Sequence, residues 1–173
     1  FVPFKATLTF KTPETQTGTL LFKKDNPSGL PENDDEFRIP VIFKNFGSAE
    51  KLKVLAFFSN SQLDPEISCV KVFAVEREIP KTQAVARAAL EELLKGVDDL
   101  ERYAGFNTSI NPGVKIQKLV IENGTAKVDF DEQLQFQVGG SCRVTAIRAQ
   151  ITETLKQFQT VKSVIISING RTE

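Results

Sequence analysis

The order of apolar periods along the chain predicts an α+β fold: two helices on one face of a small, mostly antiparallel sheet, preceded by a short all-β segment. Three observations carry this expectation. Residues 1–44 show only strand-like patterning. Residues 81–95 and 139–158 repeat apolar side chains at steps of three and four, the spacing of one helix face. The other apolar stretches from residue 52 onward alternate or run β-branched. They interleave with the helices in the order β-β-α-β-β-α-β.

Phe4, Ala6, Leu8 and Phe10 alternate with Lys5, Thr7 and Thr9, as in a half-buried strand. Residues 18–22 (GTLLF) and 37–43 (FRIPVIF) are further strands, and Pro40 restricts the latter to an edge or a bulge. Three such strands are too few for a good core of their own. Between them, Asp25, Glu32, Asp34, Asp35 and Glu36 offer oxygen ligands without the spacing of a calcium loop, so a solvated turn is expected there. Residues 44–50 (KNFGSAE) are polar and read as a linker.

Residues 52–58 (LKVLAFF) and 69–75 (CVKVFAV) are the next strands, joined by a turn-rich connection. Pro80, a cap at Thr82 and Gly96 bound the first helix. Residues 97–113 form an irregular connection with a helical turn around Leu100 to Ala104. Asn123-Gly124 joins strands 114–121 and 125–130 in a hairpin, because both central residues of a tight type I′ turn need positive φ. The second helix opens with Gly139-Gly140, takes Ser141 as cap, and buries Val144, Ile147, Ile151, Leu155 and Phe158, leaving Gln150 off that face. The β-branched run 161–168 is the closing strand, suited to a central position.

Among the 173 residues, Lys+Arg and Asp+Glu both number 22, so there is no basic field for nucleic acid. No apolar run approaches the roughly 18 residues of a membrane span. Histidine is absent. That removes Ser-His-Asp and Cys-His nucleophile systems and any imidazole metal site. Ser141 follows glycines but lacks a nucleophile elbow. Asp129 and Asp131 flank Phe130 and would share a strand face. They read as a solvated strand end before they read as a carboxylate pair for glycoside chemistry. Gly139-Gly140 reads as a close-packed turn before an anion cradle. No catalytic residue, cofactor site or metal site is expected. Cys69 and Cys142 are the two cysteines, and two readings stand open: a cross-link in an oxidising compartment, or two buried thiols.

Residues 52–172 resemble the GerMN domain, named for a spore-germination protein of endospore-forming bacteria. AVARAALEELLKG, the hairpin VKIQKLVIENGTAKVDF, the GGS-initiated helix through TLKQF and the closing VKSVIISING carry the resemblance. Gly96-Val97 departs from the Gly-Pro that many of these domains place after the first helix. PFKATLTF, GTLLFKKDNPSG and FRIPVIF resemble the second half of the immunoglobulin-like module called Gmad2. Domains are therefore expected at 1–44 (partial immunoglobulin-like sandwich), 45–51 (linker) and 52–173 (GerMN-like). The resemblance implies a non-enzymatic, extracytoplasmic domain of the bacterial cell envelope, secreted or lipid-anchored, that binds envelope proteins or copies of itself. It also implies membrane attachment only through an anchor upstream of Phe1, and a Cys69–Cys142 disulfide. A peptidoglycan- or carbohydrate-binding module is the alternative, with Tyr103, Phe106 and Asp131 lining a groove.

Overall fold

A computed structural model describes residues 4–9, 16–24, 37–43 and 50–172. The chain divides into two compact units, Phe1–Ala49 and Glu50–Glu173. In the first unit β1 (Phe4–Thr9), β2 (Gln16–Lys24) and β3 (Phe37–Phe43) form an antiparallel sheet in the order β1-β2-β3. Pro40 stands opposite Thr19 on β3, an edge strand of that sheet, where a missing N–H is tolerated. The acidic turn at 25–36 and the linker residues 44–49 lie outside the described residues.

The second unit is α+β, as expected, but its strands form two sheets. β4 (Lys51–Asn60) is flanked by β5 (Phe73–Pro80) and by the short β6 (Phe106–Asn107). β7 (Ile116–Glu122), β8 (Thr125–Phe130), β9 (Ser163–Ile168) and β10 (Arg171–Thr172) make the second sheet, in the order β10-β9-β8-β7. Every pairing is antiparallel except β8 with β9, which is parallel across a helical crossover. Among the described residues there are three α-helices, α1 (Val85–Lys95), the short α2 (Asp99–Tyr103) and α3 (Ser141–Lys156), and a 3-10 turn at Glu132–Leu134.

One core joins both sheets to both long helices. Ala56 and Phe58 of β4, Leu90 and Leu93 of α1, Val128 and Phe130 of β8, and Ile151 and Leu155 of α3 all belong to it. The alternation of β4 places Val54, Ala56 and Phe58 inward. On its other face Lys51 and Lys53 meet Glu78 and Glu76 diagonally across the strand pair. The β7–β8 turn has Asn123 at φ 49° and Gly124 at φ 78°, the two positive angles that Asn-Gly predicts.

Four local expectations are corrected. Residues 69–72 are not strand, and β5 runs to Pro80 instead. Pairing with β4 starts only at Phe73, opposite Phe58: Cys69 at φ 64° takes the chain out of extended geometry before it. Thr82 is not the cap of α1: its Oγ1 accepts from the Ala84 N–H one turn earlier, and the helix enters from Ala84. Ser141 is the first residue of α3, not its cap. Gly140 occupies that position at φ 84°, and no side chain caps the helix. Gly139 and Gly140 are not close-packed either, since a Cβ at each would meet open space.

Candidate functional site

The turn after β4 is built around Asn60, which is buried. Its Oδ1 accepts from the N–H groups of Gln62 (2.9 Å) and Leu63 (3.0 Å), and its Nδ2 donates to the Ala104 carbonyl (3.0 Å). One side chain thus shapes the turn and ties it to the end of α2. The N–H of Ser61 donates to the Gly105 carbonyl (3.0 Å), and Gln62 Nε2 to that of Tyr103 (3.4 Å). Gly105 has φ 89°, and a Cβ there would sit 2.7 Å from Gln62 Cγ and 2.9 Å from Asn60 Oδ1. The two segments approach so closely that only glycine fits.

Further along the loop, Asp64 is buried. Its Oδ2 accepts from the N–H (2.9 Å) and hydroxyl (2.6 Å) of Ser68, and its Oδ1 faces Lys71 Nζ at 3.3 Å. The Ser68 hydroxyl above all holds the Asp64 carboxyl below the usual range, against the opposing effect of burial. Ile67 and Cys69 adopt positive φ (50° and 64°), a rare conformation for side-chain-bearing residues. Cys69 bonds Cys142 in the first turn of α3, with Cα atoms 5.2 Å apart. The disulfide therefore ties α3 to a loop, not to a strand.

Beside the disulfide lies a cleft of ≈ 470 Å³ whose lining includes Asn60, Asp64, Lys71, Gly140 and Arg143. Arg143 is committed to structure: its guanidinium donates to Asn111 Oδ1 (2.6 Å) and to the carbonyls of Ser109 (3.2 Å) and Gln137 (3.3 Å). Asn111 in turn donates to the carbonyls of Gln133 and Phe136. The serines along the cleft have no imidazole to activate them.

The two aspartates of VDFDE do separate work. Asp129 Oδ1 accepts from the Ser167 hydroxyl (2.7 Å) and the Gly170 N–H (2.9 Å), closing the β9–β10 turn. Asp131 Oδ1 accepts from the Lys115 N–H (3.1 Å), fastening the start of the hairpin. Tyr103, Phe106 and Asp131 share no groove: Tyr103 stands out on α2 while Phe106 packs half-buried on the core. Among the described residues, no three His, Cys, Asp or Glu side chains gather as a metal site. No described helix is long and apolar enough to cross a membrane.

The locked loop and α2 each present large apolar side chains outward, beside exposed Gln62, Glu66, Asp99 and Arg102. Leu63 is 57% exposed, Ile67 71%, Val70 56%, Leu100 81% and Tyr103 89%. Sequence reading singled out none of these as exposed, apart from Tyr103 as a groove candidate. The available signal was the run of large apolar residues in turn-rich segments, where no helix or strand period accounts for them.

α2 is itself pinned from below. Asp98 and Glu101 form a reciprocal capping box. Glu101 also takes a two-pronged ion pair from Arg77, Nη2 to Oε2 at 2.7 Å. Arg77 lies 5.6 Å from the centre of the Phe58 ring. The bonds from Arg77 hold Glu101 below the ordinary glutamate range, and Glu101 raises Arg77 in return.

Comparison with known proteins agrees with this fold. Residues 55–173 match the family model described as "Germane: Sporulation and spore germination". Among solved structures, the first GerMN domain of the sporulation protein GerM from Bacillus subtilis is similar, with a TM-score of 0.55 and 22% identity over 70% of this chain and 86% of that one. The tandem GerMN domains of the same protein give a TM-score of 0.53 and 18% identity, over 72% of this chain and 41% of that one. No curated protein matches the chain. The second unit thus has a fold similar to that of a GerMN domain, and the chain belongs to the Germane family of sporulation and spore germination.

Proposed function

We propose that residues 50–172 form a non-enzymatic interaction domain of the bacterial cell envelope, outside the cytoplasm, that docks a protein partner in a sporulation- or germination-related assembly. The observation that carries this reading is the exposure of the large apolar side chains Leu63, Ile67, Val70, Leu100 and Tyr103 on two segments held together by Asn60 and Gln62. Large apolar side chains left in water favour a complex that covers them. Here they are held by buried hydrogen bonds and a disulfide, so little ordering is needed on binding. The disulfide supports an oxidising compartment. The family description supports the sporulation and germination context. The antiparallel β1-β2-β3 sheet, a unit apart, supports the immunoglobulin-like, Gmad2-type reading of the N-terminal segment.

A photo-crosslinking residue in place of Tyr103 tests the proposal in envelope preparations. A discrete protein adduct is expected, and Leu63→Ser with Leu100→Ser should abolish it. No protein adduct, together with micromolar binding of a defined cell-wall glycan to the same domain, would overturn it in favour of a carbohydrate-binding module.

A further inference from the structure

β7 is one edge of the four-stranded sheet, and its sequence is self-complementary. The two-residue Asn123-Gly124 turn makes Glu122 and Thr125 a hydrogen-bonded pair. Counting back, Val120 and Lys118 also direct their backbone groups to β8. The N–H and C=O groups of Leu119 and Ile121 therefore point away from the sheet, with no strand beyond them among the described residues. Arg87 Nη2 donates to the Ile116 carbonyl at 3.0 Å, so the free stretch starts after Ile116. Ile121 on this edge is 37% exposed.

Turning a second copy about a two-fold axis at Val120 makes a matched antiparallel pair. Leu119 of one copy meets Ile121 of the other in a hydrogen-bonded pair, using the outward groups of both. Lys118 meets Glu122 in a non-hydrogen-bonded pair, where opposed side chains come closest. The axis repeats each match twice. Lys118 has no ion-pair partner among the described residues, and Glu122 has only Lys127 at 3.6 Å. The same operation on β5, the long edge of the other sheet, would oppose Glu76 to Glu78. On the far side of the four-stranded sheet, β9 is partly taken by β10.

We propose that a second copy of this chain pairs antiparallel along β7, joining two four-stranded sheets into one continuous sheet. This contact lies on a different surface from the apolar loop and α2, so it goes beyond the partner-docking reading and stands or falls separately. Sedimentation of the 173-residue chain over a concentration series tests it, with Lys118→Glu, Glu122→Lys and the double exchange. The chain should dimerise. Each single reversal should weaken the dimer about tenfold, because the axis places a like-charge clash at both ends. The double exchange should restore it. A monomer at every concentration would overturn the proposal, as would a dimer indifferent to the single reversals or not rescued by the double one. Crosslinking at Tyr103 should be unchanged in these variants, which separates failure here from failure of the docking surface.

Discussion

Arg77 reaches from β5 to α2, rests near Phe58, and donates to the Gly96 carbonyl as well as to Glu101. Removing the charge of Glu101 leaves a largely shielded guanidinium without its counter-ion. Glu101→Gln keeps an oxygen able to accept from the Asp98 N–H, so the capping box is spared while the ion pair is lost. A destabilisation of about 1–3 kcal/mol at neutral pH is expected in urea unfolding. Its pH dependence follows from the lowered carboxyl pKa. A carboxyl depressed by folding contributes fully above its unfolded value, and that contribution is lost as pH falls through the folded one. The gap between the parent chain and Glu101→Gln should therefore narrow below the ordinary glutamate value of 4.5. A gap that is constant from neutral to strongly acidic pH would assign the effect to packing.

α3 does more than fill a core. Gln150 and Thr154, both 0% exposed, continue with Gln157 along one line of the helix, and that line lies on the free side of β4. Gln157 accepts from the Leu55 N–H (2.8 Å) and donates to the Leu55 carbonyl (2.7 Å). Thr154 Oγ1 accepts from the Phe57 N–H (3.1 Å), and Gln150 links Ser59 to Thr108. Side chains of a helix thus complete strand hydrogen bonds where β6 is too short to do so, and the strand edge is masked. Thr154→Val keeps the shape and strands the Phe57 N–H, so thermal or urea unfolding should show a loss of about 1–3 kcal/mol. Thr154→Ser, which keeps the hydroxyl, should lose less. Ile147, Ile151 and Leu155 were legible from their period, and all are buried. Gln150 was not: hydrophobic patterning reads a glutamine as solvent-facing, whereas here buried backbone groups recruit it. Val144 failed in the opposite sense and is 38% exposed, because the first turn of α3 overhangs the sheet beside a small apolar hollow. The hairpin was legible because Asn-Gly acts locally. The start of β5 was not, because it depends on the loop before it, which carries Cys69 at positive φ and the bond to Cys142.

Across the whole second unit, the Cys69–Cys142 bond closes a loop with a sequence separation of 73. In the chain-entropy account a loop of this length stabilises the fold by roughly 4 kcal/mol. Urea unfolding with and without a phosphine reductant should reveal a loss up to that size. A native, unreduced chain with two titratable thiols would show that the bond does not form in solution. The parallel pairing of β8 with β9 has a different consequence, one that concerns time. The β7–β8 hairpin can close within microseconds on its own. β9 cannot join until the whole of α3 has been made and folded back, because parallel neighbours need a crossover. As the chain emerges N-terminus first, the part of α3 that faces β9 and one margin of β8 stay bare until β9 arrives. Residues 163–168 therefore set the moment at which a nascent copy stops being a target for proteases and aggregation.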